Sequence, residues 1–141
     1  MSTIAVDAMG GDSAPKEIVK GAILAKECGV NVILSGDKAL IDTYLDGVNI
    51  QVIDYPEVIS MEDNPARAIR TKKNASILGA LKLVKENKAD GVFSAGATGG
   101  TLIGSISVLG KNKGVLRPAI AAVLPGVGGD TILLDSGASL D

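Results

Sequence analysis

The stretch Gly91-Val-Phe-Ser-Ala-Gly-Ala-Thr-Gly-Gly-Thr-Leu-Ile103 constrains this chain more than any other. Its apolar start, Gly91 to Ala95, reads as a buried strand that stops at Gly96. A helix is expected just past Gly99 and Gly100, with Leu102, Ile103, Ile106 and Leu109 on one face. Strand, glycine turn and helix in that order aim free backbone N–H groups at one point. The positive end of the helix dipole adds to them, which suits a phosphate or another oxyanion. Ser94 and Thr98 bring hydroxyl donors to the same point. A tight βα turn with no ligand would use the same glycines. What favours a site is that the rest of the chain builds similar turns on the same expected edge.

Those turns come from the first third of the chain. Ile4 to Val6 is a short apolar strand running into Asp7-Ala-Met-Gly-Gly-Asp12, which contains Gly10 and Gly11. Pro15 falls where a first helical turn would begin, with Ser13 or Asp12 as its cap. Ile18, Val19, Ala22 and Ile23 form the stripe of that helix, and Gly29 stops it. A second strand, Val30 to Leu34, ends at Ser35-Gly-Asp37; a short helix through Leu40, Ile41 and Leu45 and a third strand, Ile50 to Ile53, follow. This alternation predicts a parallel sheet with helices on its faces. Ligands of such sheets sit outside the carboxyl ends of the strands, where all three turns lie. Farther on, Ala119 to Leu124 and Thr131 to Leu134 are close enough to pair as a hairpin across Pro125–Asp130, which would make the sheet mixed. At 141 residues and 46% hydrophobic content the chain has the size of one α/β domain, 1–141; with 2% aromatic residues its core must be aliphatic.

The middle is the most basic part. Asn64-Pro65 opens a helix with Arg67 and Arg70 on one face, and Lys72 and Lys73 follow within the same seven residues. Asn74 or Ser76 is expected to cap the next helix, with stripe Ile77, Leu78, Leu81 and Val84. Four clustered cations make either a solvated surface or a face for an anionic substrate or acidic protein. Histidine is absent, which removes Ser–His and Cys–His nucleophile pairs and the usual zinc sites. The lone Cys28 follows a helix stripe, at the end opposite the turns, and is expected to be a packed thiol. A net charge of −2 gives no general footprint for nucleic acid, and no signal-peptide pattern or membrane-length apolar run is read.

Taken together, these residues resemble the PlsX family of bacterial phosphate acyltransferases. The family's opening Val-Asp-Ala-Met-Gly-Gly-Asp then Ala-Pro stands as Val6 to Asp12 and Ala14-Pro15. Its Arg-x-Lys-Lys segment appears as Arg70 to Ser76, its serine–glycine turn as Ala89-Asp90 and Ser94 to Gly99, and its Leu-Leu-Asp-x-Gly-Ala motif as Leu133 to Asp141; Arg117-Pro118 and Leu124-Pro125 also match. Two residues depart from the pattern: Ala97 and Ser139 stand where the family usually has Asn, which implies weaker substrate contact there. Family members are longer, so this chain is expected to match their amino-terminal part.

The resemblance implies a Rossmann-like three-layer αβα fold with a mostly parallel, mixed sheet, like those of isopropylmalate dehydrogenase and phosphotransacetylase. It implies transfer of a long-chain acyl group from acyl carrier protein to inorganic phosphate, with no cofactor and no metal. Phosphate would be cradled by Gly10, Gly11 and the turn Gly96, Ala97, Thr98, Gly99 and Gly100. Asp7, Lys73, Ser94 and Thr98 are the catalytic candidates, with Asp12, Lys72, Asn74, Asp135 and Gly137 elsewhere in the cleft. Arg67 and Arg70 would meet the acidic carrier protein. A homodimer in the cytoplasm, with peripheral contact at the inner membrane face, completes the expectation.

Two other readings compete. Asp7-Ala-Met-Gly-Gly and Asp135-Ser-Gly are similar to the paired phosphate turns of acetate- and sugar-kinase-like ATPases, although in that fold the first turn joins a β-hairpin. The other is a non-catalytic anion-binding or assembly fragment, which predicts exposed apolar surface.

Overall fold

Strand β1 (Thr3–Asp7) is the member against which the sheet is laid. A computed structural model describes residues 2–134 of the chain. β1 pairs in parallel with β2 (Asn31–Gly36) on one side and with β4 (Gly91–Phe93) on the other; β3 (Gln51–Asp54) pairs in parallel with β2. The order is therefore β3-β2-β1-β4. Helices α1 (Lys16–Glu27), α2 (Lys38–Asp42), α3 (Pro65–Thr71), α4 (Ser76–Lys85) and α5 (Thr98–Val108) connect and cover it. The described residues divide into two compact units, one up to Leu109 and one from Gly110 onward. The parallel sheet and these five helices lie in the first.

Alternation along the strands sorts the core into two faces. Val6 and Leu34 pack with Val19 and Ala22 of α1 and Ile41 of α2. Ala5 and Ile33, one residue away on each strand, pack with Ala80 and Leu83 of α4. Helix, sheet and helix thus form the three layers expected for the α/β class. Helix α4 is buried on nearly every side, from Ser76 through Leu81 and again at Leu83, because it lies between the sheet and α3 and α5. Full burial of a side chain such as Leu34 or Leu81 contributes about 1.5–3 kcal/mol.

Several local expectations change. Pro15, joined to Ala14 by a cis peptide bond, stands at the N-cap of α1 rather than inside its first turn, and neither Ser13 nor Asp12 caps the helix with its side chain. Ala75 is the N-cap of α4, so Asn74 and Ser76 do not cap it either. The predicted stop at Gly29 holds. With φ at 87°, Gly29 donates to the Lys26 carbonyl while Val30 donates to Ala25, a pair of bonds that ends the helix. Cys28 is exposed rather than packed. Helix α5 begins at Thr98, placing Gly99 and Gly100 within its first turn; Gly100 and Gly104 are its buried residues, and Leu109 is exposed.

The second unit holds β5 (Ala121–Leu124) and β6 (Thr131–Leu134), antiparallel as predicted. They form a two-stranded sheet of their own, and among the described residues every pairing of the four-stranded sheet is parallel, not mixed as expected. Val123 and Ile132, register partners, are both exposed.

Candidate active site

From β1 the chain winds outward through β2 to β3, then returns to lay β4 on the other side of β1. That reversal puts a crevice at the carboxyl ends of β1 and β4, the place where open α/β sheets bind ligands. Asp7 ends β1, and Ser94 follows β4 by one residue. The Ser94 hydroxyl donates to Asp7 Oδ2 at 2.7 Å, and its oxygen accepts the Gly96 N–H at 3.1 Å. Asp7 Oδ1 accepts from the Met9 N–H at 3.3 Å. A carboxylate that is 3% exposed therefore ties the two turns together.

Glycine makes this junction possible. A methyl group on Gly10 would lie 2.5 Å from Asp7 Oδ2, 2.9 Å from the Gly96 nitrogen and 3.0 Å from its Cα. Gly11 has φ of 112°, a conformation that side-chain-bearing residues rarely adopt. The two backbones thus touch where the strands stop.

Helix α5 starts from that junction. Its N-cap, Ala97, has no side chain able to cap, and its first intrahelical bond runs from the Thr101 N–H to the Ala97 carbonyl at 3.0 Å. The N–H groups of Thr98, Gly99 and Gly100 consequently have no partner inside the helix. The hydroxyl of Ser94 is already engaged with Asp7 and the Gly96 N–H with Ser94, so neither is open to an anion, whereas the N–H groups of residues 98 to 100 are not used by the helix. Thr98 is exposed beside them. A pocket of about 170 Å³ opens next to Gly11, Asp12, Gly96 and Ala97.

The basic segment divides. Arg67 and Arg70 are exposed on α3, whose N-cap Asn64 accepts the Arg67 N–H at 3.0 Å. Lys73 is exposed. Lys72 instead turns to the preceding loop, donating to Asp63 at 2.6 Å and to the Val58 carbonyl at 2.8 Å. The Lys72 ammonium, helped by the Ser60 N–H, holds the Asp63 carboxyl below its usual range. The Asn74 N–H donates to Glu57 Oε2 at 2.7 Å. Asp12 is exposed at the pocket edge. Asp135 and Gly137, like Ser139, lie outside the described residues.

Sequence reasoning missed the loop of residues 57–63. Glu57 bridges Ala75, and Ile59, 7% exposed, sits against Gly100. The available signal was Val58, Ile59 and Met61, apolar residues in an otherwise polar loop, with Asp63 nine residues before Lys72. β1 is followed by a helix and a parallel strand, which disagrees with the hairpin that a kinase-like first turn would need. Among the described residues no cluster of three or more metal-binding side chains occurs, and no helix is long and apolar enough to cross a membrane.

Comparison with known proteins adds a family. The family model described as fatty acid synthesis protein matches residues 2–141. A phosphate acyltransferase of Desulforamulus reducens is 49% identical over 146 aligned residues, covering 100% of this chain and 44% of that protein. Proteins of the same name from Pelotomaculum thermopropionicum and Gloeothece citriformis are each 48% identical, over 98% of this chain and 42% and 41% of theirs. The chain spans less than half the length of these curated relatives.

Proposed function

The chain belongs to the fatty acid synthesis protein family, and from that premise we propose that it supplies the phosphate site of an acyltransferase. The reaction moves a long-chain fatty acyl group from acyl carrier protein to inorganic phosphate. Its product is an acyl phosphate for phospholipid synthesis. The observation that carries this reading is the junction of Gly10 with Gly96, locked by Asp7 and Ser94, from which the uncapped end of α5 starts.

Phosphate is partly ionised at neutral pH and attacks the thioester carbonyl itself. A carbon–oxygen bond forms, the carbon–sulfur bond breaks, and the carrier thiolate leaves and takes a proton. A chain without histidine can serve this chemistry, because no enzyme nucleophile is required. What is required is fixed positive potential where charge collects. The N–H groups of Thr98, Gly99 and Gly100, the Thr98 hydroxyl and the exposed Lys73 supply it. Asp7 and Ser94 act behind them as positioning residues. Arg67 and Arg70 meet the acidic carrier protein, and the working protein is a cytoplasmic homodimer that touches the membrane surface.

A hydroxylamine trap tests this. The chain is mixed with long-chain acyl carrier protein, with and without phosphate, and acyl hydroxamate is counted. Phosphate-dependent product is expected. Phosphate binding without product would instead favour the assembly-fragment reading, to which the exposed Val123, Ile132 and Leu134 of the hairpin lend support. Absence of both sinks the site.

A further inference from the structure

A turn that only held an anion would have no use for apolar neighbours, yet the pocket beside Gly11 and Gly96 is walled by Met9, Val58, Ile59 and Met61. Met61 is 68% exposed and Val58 37% exposed, so neither is held there by core packing. Nor is their loop slack. Lys72 reaches across to Asp63 and to the Val58 carbonyl, and Asp63 accepts the Ser60 N–H at 2.8 Å. At the other end the Glu57 N–H donates to Asn74 at 3.1 Å, and the Ser76 N–H donates back to the Glu57 carbonyl at 2.9 Å. A loop pinned on both sides presents two exposed apolar side chains to a pocket that also borders Gly11, Asp12, Gly96 and Ala97.

We propose that Val58 and Met61, together with Met9, form the wall that takes the first carbons of the acyl chain. The ligand class is an anionic head with an alkyl tail: the head at the glycine turns, the tail along this loop. The assignment rests on the reading of the turns as a phosphate site. Methionine suits the role because its unbranched, polarizable side chain adapts to a flexible hydrocarbon. Lys72 then acts as a positioning residue for the loop, its charge answered by Asp63, and not as a phosphate ligand.

Calorimetric binding of inorganic phosphate and of methyl-, butyl- and hexylphosphonate to the full chain tests this. Affinity is expected to rise about tenfold from the methyl to the hexyl compound, a partial share of full methylene burial. Met61→Gln, at an exposed position, should remove most of that gain and leave phosphate and methylphosphonate binding unchanged. Lys72→Met should weaken hexylphosphonate more than phosphate. Equal loss for both would make Lys72 a direct anion ligand and overturn its assignment. Retention of the tail gain in Met61→Gln overturns the wall, as does its loss in Phe93→Gln instead, which would send the tail to the apolar groove of about 380 Å³ lined by Ile18, Val32 and Phe93. Phosphate binding with no tail gain in the unaltered chain refutes the wall alone. No phosphate binding at all refutes the site and the wall with it.

Discussion

The turns after β1 and β2 leave the same edge of the sheet from register partners, Asp7 and Ser35, and their polar groups meet different fates. At β2 the side-chain groups are used within the fold. The fully buried Ser35 hydroxyl donates to the Ser76 carbonyl at 2.7 Å, the Ser35 carbonyl accepts the Ala8 N–H, and Asp37 caps α2 by accepting the Leu40 N–H at 3.0 Å. At β1 the carboxylate joins the Met9 N–H of its own turn to the Ser94 hydroxyl of a second turn 87 residues away, and the helix beyond that turn keeps its N-terminal donors. Both turns are glycine-bearing and acidic, so composition does not separate them. What separates them is the reversal of strand order beside β1, which sets the β1 turn directly against the β4 turn.

The contrast can be broken most severely at Gly10. Gly10→Ala forces a methyl into Asp7 and the Gly96 backbone, and neither is the free end of a flexible chain. It should cost about 1–3 kcal/mol in denaturant unfolding and abolish phosphate-dependent hydroxamate formation. Gly21→Ala is the control, since nothing lies within 4 Å of its added methyl and it sits in α1; it should gain about 0.5–1 kcal/mol. Asp7→Ala comes next, stripping the partner from Ser94 and the Met9 N–H; a loss of about 1.5–3 kcal/mol is expected, with a raised KM for phosphate. Ser35→Ala sharpens the comparison from the other side. It should cost about 1 kcal/mol and leave the KM for phosphate where it was, and a raised KM would erase the distinction between the turns. Asp37→Ala should do the same, at about 1 kcal/mol for the lost cap.

The smallest effect is one of pH. The folded state holds the Asp63 carboxyl below its unfolded value through Lys72, so the contribution is present above the ordinary carboxylate range and is lost as pH falls through the lowered value. Amide protection at residues 58–63, taken relative to the intrinsic exchange rate at each pH, should therefore fall below about pH 4 in the unaltered chain. In Lys72→Met it should already be low at neutral pH.

Much of the fold was legible because glycine punctuates it. The run ending at Asp7, the stop at Gly29 and the strand closing at Ser35–Asp37 are local signals, and the α/β alternation follows from them. Strand adjacency is not local. Nothing in Ala121–Leu124 or Thr131–Leu134 says which sheet they join, and among the described residues they pair only with each other. The caps failed for a related reason. Asp12 and Ser13 have the right chemistry for α1, but the chain enters through Pro15 in a geometry that leaves both side chains exposed. Gly99 and Gly100 read as a turn, yet they form the first turn of α5, where an added methyl would press Pro65 at 2.9 Å and Ile59 at 3.1 Å. For the site, the residue types at the β1 and β4 turns were readable and their contact was not. The spending of Lys72 on Asp63 is a tertiary fact that no spacing encodes.

The distance along the chain between Asp7 and Ser94 also bears on how the protein comes into being. β1 reaches β2 across the segment that carries α1, whereas its pairing with β4, Ile4 to Gly91, closes a much longer span of chain. Loop closure of that span is a late, entropically costly event. The proposed anion site has no partially assembled version, because half of it arrives only with β4, the last strand of the parallel sheet. In a refolding experiment, recovery of phosphate binding should follow the slowest phase, well after most helical signal has returned.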